Sequence, residues 1–483
     1  MNDSDLCFTA ATDLVDAIRA KKLSSVEITR AVLKRIERLE PKLNAFAYLA
    51  ADEAMDAAQA ADRALARGEP MGPLHGVPAT IKDHEAVRGM QLEYGTHLRR
   101  GEVATADNAM VARLRQAGAI ILGKTSTPEF GWMGVSNSPL TGITHNPWKH
   151  GFNAGASSAG AGAGAAAGYG PLHQGSDGAG SIRMPAHFSG VFGLKPTYGR
   201  VPQSPVAASD FTVHLGPLTR TVADAALMLR TMAGPHPDDH TSLEAQPADY
   251  PRHLSEQPRA PRLAYSPDLD HARVDSEVAA LVRQAVDAFE RDLGMKVEQV
   301  KTPWGPKGPP LARFFWPAHF MRHFDRLPEY RDRMDPGFVA CIEAGQRVTM
   351  ADYQKTRLVK YAYCAEIHHF FDDWDFLLTP AVSVAAFPAT LLQPPHWPQH
   401  PWDWLSWAEF SYPFNLSGNP AASVPCGFTK EGLPVGLQIV GRRFDDLGVL
   451  QMSALACGAC FASALLGMTL LLSRATTLLS SRA

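Results

Sequence analysis

The sequence predicts an α/β fold, a single large domain with a central, mostly parallel or mixed sheet covered by helices on both faces. Two observations carry this expectation. Short apolar runs of strand character alternate with segments of helical period on both sides of a proline-rich excursion at 235–261. No internal repeat or low-complexity linker divides the 483 residues, and 45% of them are hydrophobic, enough to bury a large core. The domain is expected over 1–451, followed by an apolar tail at 452–483 read as a packed helix.

The elements follow in order. Ser24-Ser25-Val26-Glu27 reads as a capping box opening a helix with Ile28, Val32, Leu33 and Ile36 at helical spacing, ending near Pro41. An alanine-rich helix covers 50–67. Leu74 to Lys82 is a turn feeding a short strand, which delivers Lys82 at a strand end, where open α/β sheets place their chemistry. A helix at 110–117 and a buried strand at 119–122 come next. The loop 125–148 holds three prolines and two tryptophans without any period, so it is expected to line or cover a pocket. The stretch from Gly160 to Gly168 reads as a buried helix whose missing side chains admit close neighbours, at about 1 kcal/mol per interior glycine relative to alanine. Val191 to Pro196 is a strand, Ala223 to Met232 a helix and Leu263 to Tyr265 a strand. Val278, Leu281, Val282, Ala285, Val286 and Phe289 mark an amphipathic helix capped by Asp275 or Ser276. Pro434 to Val440 is a late buried strand. Between Pro303 and Trp407 the chain is rich in Trp, Phe, His and Pro, the composition of pocket walls.

Composition excludes several functions. Net charge is −3, from 46 Lys and Arg against 49 Asp and Glu, and no basic run advertises a nucleic-acid surface. Small, weakly charged partners are the default. Six scattered cysteines fit a reducing, cytoplasmic setting, and Cys457-Gly-Ala-Cys460 reads as small apolar residues of a helix. The N-terminus lacks the charge and apolar pattern of a secretory signal. From Leu447 to Ser473 no residue is charged, so length permits a membrane span, although the abundant Ala, Gly, Ser and Cys do not favour membrane contact. The glycine-rich stretch lacks the context of a dinucleotide fingerprint. There is no G-x-S-x-G elbow, no phosphate loop and no metal-ligand set, so neither cofactor nor metal is expected. A Ser-His-Asp arrangement stays open by counting, because His75, His84, His173 and His187 lie near the serines in sequence.

The chemistry concentrates around two serines, 24 residues apart, in Gly155-Ala156-Ser157-Ser158-Ala159-Gly160 and Gly175-Ser176-Asp177-Gly178-Ala179-Gly180-Ser181-Ile182-Arg183. With Ile81-Lys82-Asp83 upstream they supply a nucleophile, a proton relay, a base and small residues that expose backbone N–H groups.

With Leu74-x-Gly-Val-Pro-x-x-Ile-Lys-Asp83, Gly123-Lys-Thr-x-Thr-Pro-Glu-Phe130, Asn146-Pro-Trp148, Gly193-Leu-Lys-Pro-Thr197 and Pro434-Val-Gly-Leu-Gln438, the chain resembles the amidase signature hydrolases over most of its length. Alanine replaces some of the small residues that flank the reactive positions. The resemblance implies Ser181 as nucleophile, Ser157 as bridging serine after a cis Ala156-Ser157 peptide, and Lys82 as base. Lys82 must then be neutral, its pKa drawn down by burial from about 10.4. It also implies an oxyanion hole from the N–H groups of Gly178, Ala179, Gly180 and Ser181, with Ser158, Asp177 and Arg183 as supports. Trp132, Met133 and the stretch Trp402 to Phe414 are expected pocket walls. The implied activity is metal-free hydrolysis of a small-molecule amide, with ester or carbamate cleavage as neighbouring activities. The alternatives are the glutaminase component of an aminoacyl-tRNA amidotransferase and a non-catalytic, membrane-tethered binding relative. A homodimer is common among similar enzymes.

Overall fold

The computed structural model describes residues 2–207, 212–244, 249–256 and 260–461, with side chains to 458. In chain order its strands are β1 (Phe46–Leu49), β2 (Pro78–Lys82), β3 (Ile120–Thr125), β4 (Asn137–Ser138), β5 (Gly142–Ile143), β6 (Leu172–Asp177), β7 (Phe192–Lys195), β8 (His214–Thr219), β9 (Leu263–Tyr265), β10 (Val297–Gln299), β11 (Phe376–Pro380), β12 (Ala421–Phe428) and β13 (Pro434–Gly441). β4 and β5 form a small ribbon. The other eleven make one sheet in the order β1-β3-β2-β6-β8-β7-β12-β13-β11-β9-β10. Parallel pairs join β2 to β3 and β6, and β9 to β10 and β11. The remaining pairs are antiparallel, so the sheet is of the mixed kind.

Alternate side chains of the strands feed two cores, as the two-residue period of a strand requires. Leu263, Tyr265, Phe376, Leu378, Val435, Leu437 and Ile439 join one cluster, whereas Ala264, Leu377 and Val440 join the other. The first cluster is closed by the helices Ser25–Leu43, Val222–Met232, Ser276–Leu293 and Asp446–Phe461. The second is closed by Gly308–Phe320, Pro336–Gly345 and Met350–Asp373. Helices therefore cover both faces.

Local differences from the sequence reading have physical causes. The first long helix opens on the Ser24/Glu27 capping box but runs past Pro41 to Leu43, where Asn44 caps it in the left-handed region. A proline so near the end removes only one late helix bond, and burial of Leu39 and Leu43 carries the helix on. Asp275 occupies the N-cap position of Ser276–Leu293, but its side chain makes no bond to the helix. Its carboxylate accepts from His396 and Trp397 instead. The helix Asp446–Phe461 crosses the expected boundary at 451/452, and Met452 and Ala456 sit in the first core. The rest of the expected tail, 462–483, lies outside the described residues. No helix among the described residues is long and apolar enough to cross a membrane.

The glycine-rich stretch forms the helix Ala159–Ala167, buried along its whole length and ended by Gly168 in the left-handed region. Its glycines are needed for approach. A Cβ on Gly160 would stand 1.9 Å from the Ala45 carbonyl oxygen, and one on Gly162 2.8 Å from Pro185 Cβ. This close packing sets the loop just before the helix, which carries Ser157, against the sheet.

Candidate active site

Lys82 ends β2 with its side chain fully buried. The neighbouring β6 runs parallel to it and turns Gln174 and Ser176 to the same side, as alternation dictates. Gln174 Oε1 accepts the Lys82 backbone N–H at 3.1 Å. The Lys82 Nζ lies 2.6 Å from Ser157 Oγ and 2.9 Å from Ser176 Oγ. Burial draws the Lys82 pKa down to about 7, against the partial opposition of the Glu85, Asp177 and Asp83 carboxylates.

Ser157 follows a cis Ala156-Ser157 peptide. Gly131 folds over it at φ +67°, so close that a Cβ there would lie 2.9 Å from Ser157 Oγ and 2.8 Å from His84 Cε1. Ser158 braces the strand beside it. Its hydroxyl donates to the Ser176 carbonyl at 3.1 Å and accepts the Ser176 N–H at 3.2 Å, and its own N–H donates to the Ser181 carbonyl at 3.2 Å. Those bonds pin the two serine loops together.

Ser181 lies in the turn between β6 and the helix Arg183–Ser189. Asp177 shapes that turn. Its carboxylate accepts the N–H groups of Gly180 at 2.7 Å and Ile182 at 3.1 Å, and both arms of the Arg183 fork at 2.9 and 3.0 Å. Arg183 also donates to the Ser411 carbonyl, Gln438 Oε1 and Asn415 Oδ1, so a buried cation is fully paired. Burial alone would raise the Asp177 pKa, but the Arg183 guanidinium overrides it and holds the carboxyl well below the usual range. Gly180, expected among the oxyanion donors, gives its N–H to Asp177 rather than to the cavity.

Both serines open on a cavity of about 520 Å³. Ser157, Ser176, Gly178, Ala179 and Ser181 form its polar end, and Phe130, Phe315, Trp316, Phe320, Leu405 and Tyr412 contribute apolar wall. Trp132 and Met133 are not in that lining; Phe130 and Gly131 take the place expected of them. Trp132 is wholly buried, and its carbonyl accepts the indole N–H groups of Trp316 at 2.9 Å and Trp404 at 2.7 Å, holding the wall from behind. Of the stretch 402–414, Leu405 and Tyr412 reach the cavity.

Three of the four histidines near the serines in sequence are engaged elsewhere. His75 bonds the Ala61 carbonyl, His173 bonds Thr80 and the Gly170 carbonyl, and His187 bonds the Val384 carbonyl and the Gly436 N–H. His84 alone of the four lines the cavity, stacked on Tyr94 with its ring nitrogen 3.3 Å from Thr127 Oγ1. Burial first, then the charges of Lys82, Lys124, Arg99 and Arg322, pushes the His84 pKa well below its ordinary value.

A family model described as amidase matches residues 27–450. The chain belongs to the amidase signature family. An acylamidase of Rhodococcus erythropolis is 38% identical over 463 residues, covering 94% of this chain and 96% of that protein. A component of the glutamyl-tRNA(Gln) amidotransferase of Moorella thermoacetica is 33% identical over 474 residues, covering 92% and 96%. Among solved structures, a bacterial aryl acylamidase of the amidase signature family superposes with a TM-score of 0.86 at 29% identity, covering 94% of this chain and 96% of that one.

Within this amidase, Ser176, Gln174 and Asn415 touch the catalytic frame but were not singled out from the sequence. Asn415 donates to the Asp177 side chain at 2.9 Å from 238 residues away. The hydroxyl of Ser176 could have been found from its place beside Asp177 once β6 was known to pair with β2. Asp83 accepts from the second buried lysine, Lys124, at 3.3 Å, which explains the Lys-Asp pairing of the motif as structural support.

Proposed function

We propose that Ser181, Ser157 and Lys82 carry out the amide hydrolysis of this amidase through an acyl-enzyme. The observation that carries the reading is a lysine deprived of water, with its nitrogen 2.6 Å from a serine hydroxyl beside the cavity. As Ser181 Oγ attacks the carbonyl carbon, its proton passes to Ser157 Oγ while the Ser157 proton passes to neutral Lys82. The N–H groups of Gly178, Ala179 and Ser181 are the donors offered to the oxyanion, each of a kind worth about 3 kcal/mol of barrier. Collapse returns the proton through Ser157 to the nitrogen of the leaving amine and leaves the acyl group esterified to Ser181. Water then repeats the sequence, releasing the acid. Asp177, Arg183 and Ser158 position the turn and do not touch substrate.

The wall supports an acyl or aryl amide as substrate. Glutamine is less well served, because its α-ammonium needs a carboxylate and the lining contains neither Asp nor Glu among the described residues. Cys7 and Cys341 are buried free thiols, which suits the reducing cytoplasm to which we assign the enzyme.

Amides that share one acyl group and differ in the amine provide the test. Turned over with hydroxylamine present, they should give hydroxamate and acid in one constant ratio, because all pass through the same ester on Ser181. A ratio that follows the amine, or turnover of glutamine but no aryl amide, contradicts the reading.

A further inference from the structure

Among the described residues, the lining of the cavity holds Arg322 and Lys360 and no carboxylate. Arg322 lies in the 3-10 turn Met321–Arg326, directly after the helix Gly308–Phe320, and stands exposed at the cavity mouth. Its guanidinium is held by neutral acceptors. One arm donates to a ring nitrogen of His319 at 2.7 Å, and Nε donates to His323 Nε2 at 3.2 Å. Burial and the surrounding arginines, Arg322 first among them, bring the His323 pKa down to about 3, so that ring is an uncharged acceptor at any working pH. The charge of Arg322 is also felt at His84, the ring that shares the Gly131 contact with Ser157.

Three arginines of neighbouring segments are paired. Arg99 meets Glu102 at 2.6 Å, Arg313 meets Asp403 at 2.6 Å and Glu409 at 3.2 Å, and Arg331 meets Glu343 at 2.5 Å. Among the described residues Arg322 has no carboxylate within ion-pair distance. The two histidines take Nε and Nη1 without neutralising the guanidinium, which leaves Nη2 as its donor beside an apolar cavity.

We propose that Arg322 is a specificity-determining residue that selects amide substrates bearing a carboxylate, the carboxylate docking on its guanidinium while the amide reaches Ser181. The inference rests on the amide-hydrolase reading of the same cavity. Aliphatic or aryl surface of the substrate fills the wall of Phe130, Phe315 and Phe320, and the anion meets at the mouth a guanidinium whose own pKa burial lowers.

Three para-substituted acetanilides test this, identical except for a carboxylate, a neutral acetyl or a trimethylammonium group. Wild-type enzyme should prefer the carboxylate over the acetyl compound by about tenfold in kcat/KM, mostly through KM, with the cation poorest. The preference should shrink as salt is raised from about 0.05 to about 0.5 M. In Arg322→Gln the carboxylate-to-acetyl ratio should fall close to one, and Arg322→Lys should retain part of it. A wild-type ratio of one or below, or a ratio unchanged in Arg322→Gln, overturns the assignment while turnover of the acetyl compound leaves amide hydrolysis standing. Failure to turn over any of the three overturns both.

Discussion

A lysine accepts a proton only while it is uncharged, and the surroundings of Lys82 make that form accessible near neutral pH: it is out of water, bonded to two hydroxyls, and brought down to about 7 chiefly by burial. The sign of the pH effect follows. Below about 7 the cation dominates and cannot take the Ser157 proton, so kcat/KM should climb as pH rises through that value and level off above it. Lys82→Met should lower kcat/KM by about a thousandfold and remove the limb. A wild-type profile flat from about pH 5 to 9 contradicts this role. At this scale the sequence was most informative where chemistry is local. Lys82, Ser157 and Ser181 stand in short motifs that can be read without knowing any distant contact. Ser176 and Asn415 act across strands, and the diversion of the Gly180 N–H to Asp177 depends on how one turn closes.

Among the elements, the helix Ala159–Ala167 shows packing overriding propensity. Alanine is favoured over glycine in a helix by about 1 kcal/mol, yet a methyl group at Gly160 would meet the Ala45 carbonyl at 1.9 Å and the Ser126 N–H nitrogen at 2.6 Å. Backbone cannot yield as a side chain can, so Gly160→Ala should cost about 2 kcal/mol net, read as a lower denaturant midpoint. An unchanged or raised midpoint would show the helix less tightly seated. This helix, the capped helix at Ser25 and the strand ending at Lys82 were legible from period and punctuation. The strand β6 was not, because His173, Gln174, Ser176 and Asp177 make it polar; their partners across the sheet, such as Thr80 for His173 at 2.8 Å, satisfy them in the interior. Pro217 in β8 and Pro425 in β12 hid those strands in the same way.

For the molecule as a whole, alternation of strand residues between two cores makes the sheet a partition, with the reactive groups at the ends of β2 and β6. The C-terminal helix belongs to the first core rather than to a tail. A chain cut after 451 loses Met452 and Ala456, and should be less stable than one cut after 461 by about 2–3 kcal/mol. Equal denaturant midpoints for the two truncations would place those residues outside the cooperative unit. The overall architecture was legible because strand and helix patterns alternate along the whole chain. The aromatic half of the cavity was legible only as composition, since residues from 312 to 412 reach it through several separate turns.

The central claim is that Ser181 is the nucleophile and that its proton leaves through Ser157 to Lys82. Peptide mass spectrometry after exposure to a fluorophosphonate reads this directly. The adduct should fall on Ser181, be absent in Ser181→Ala, and form far more slowly in Lys82→Met. An adduct on another residue, or an unaltered labelling rate in Lys82→Met, would contradict it.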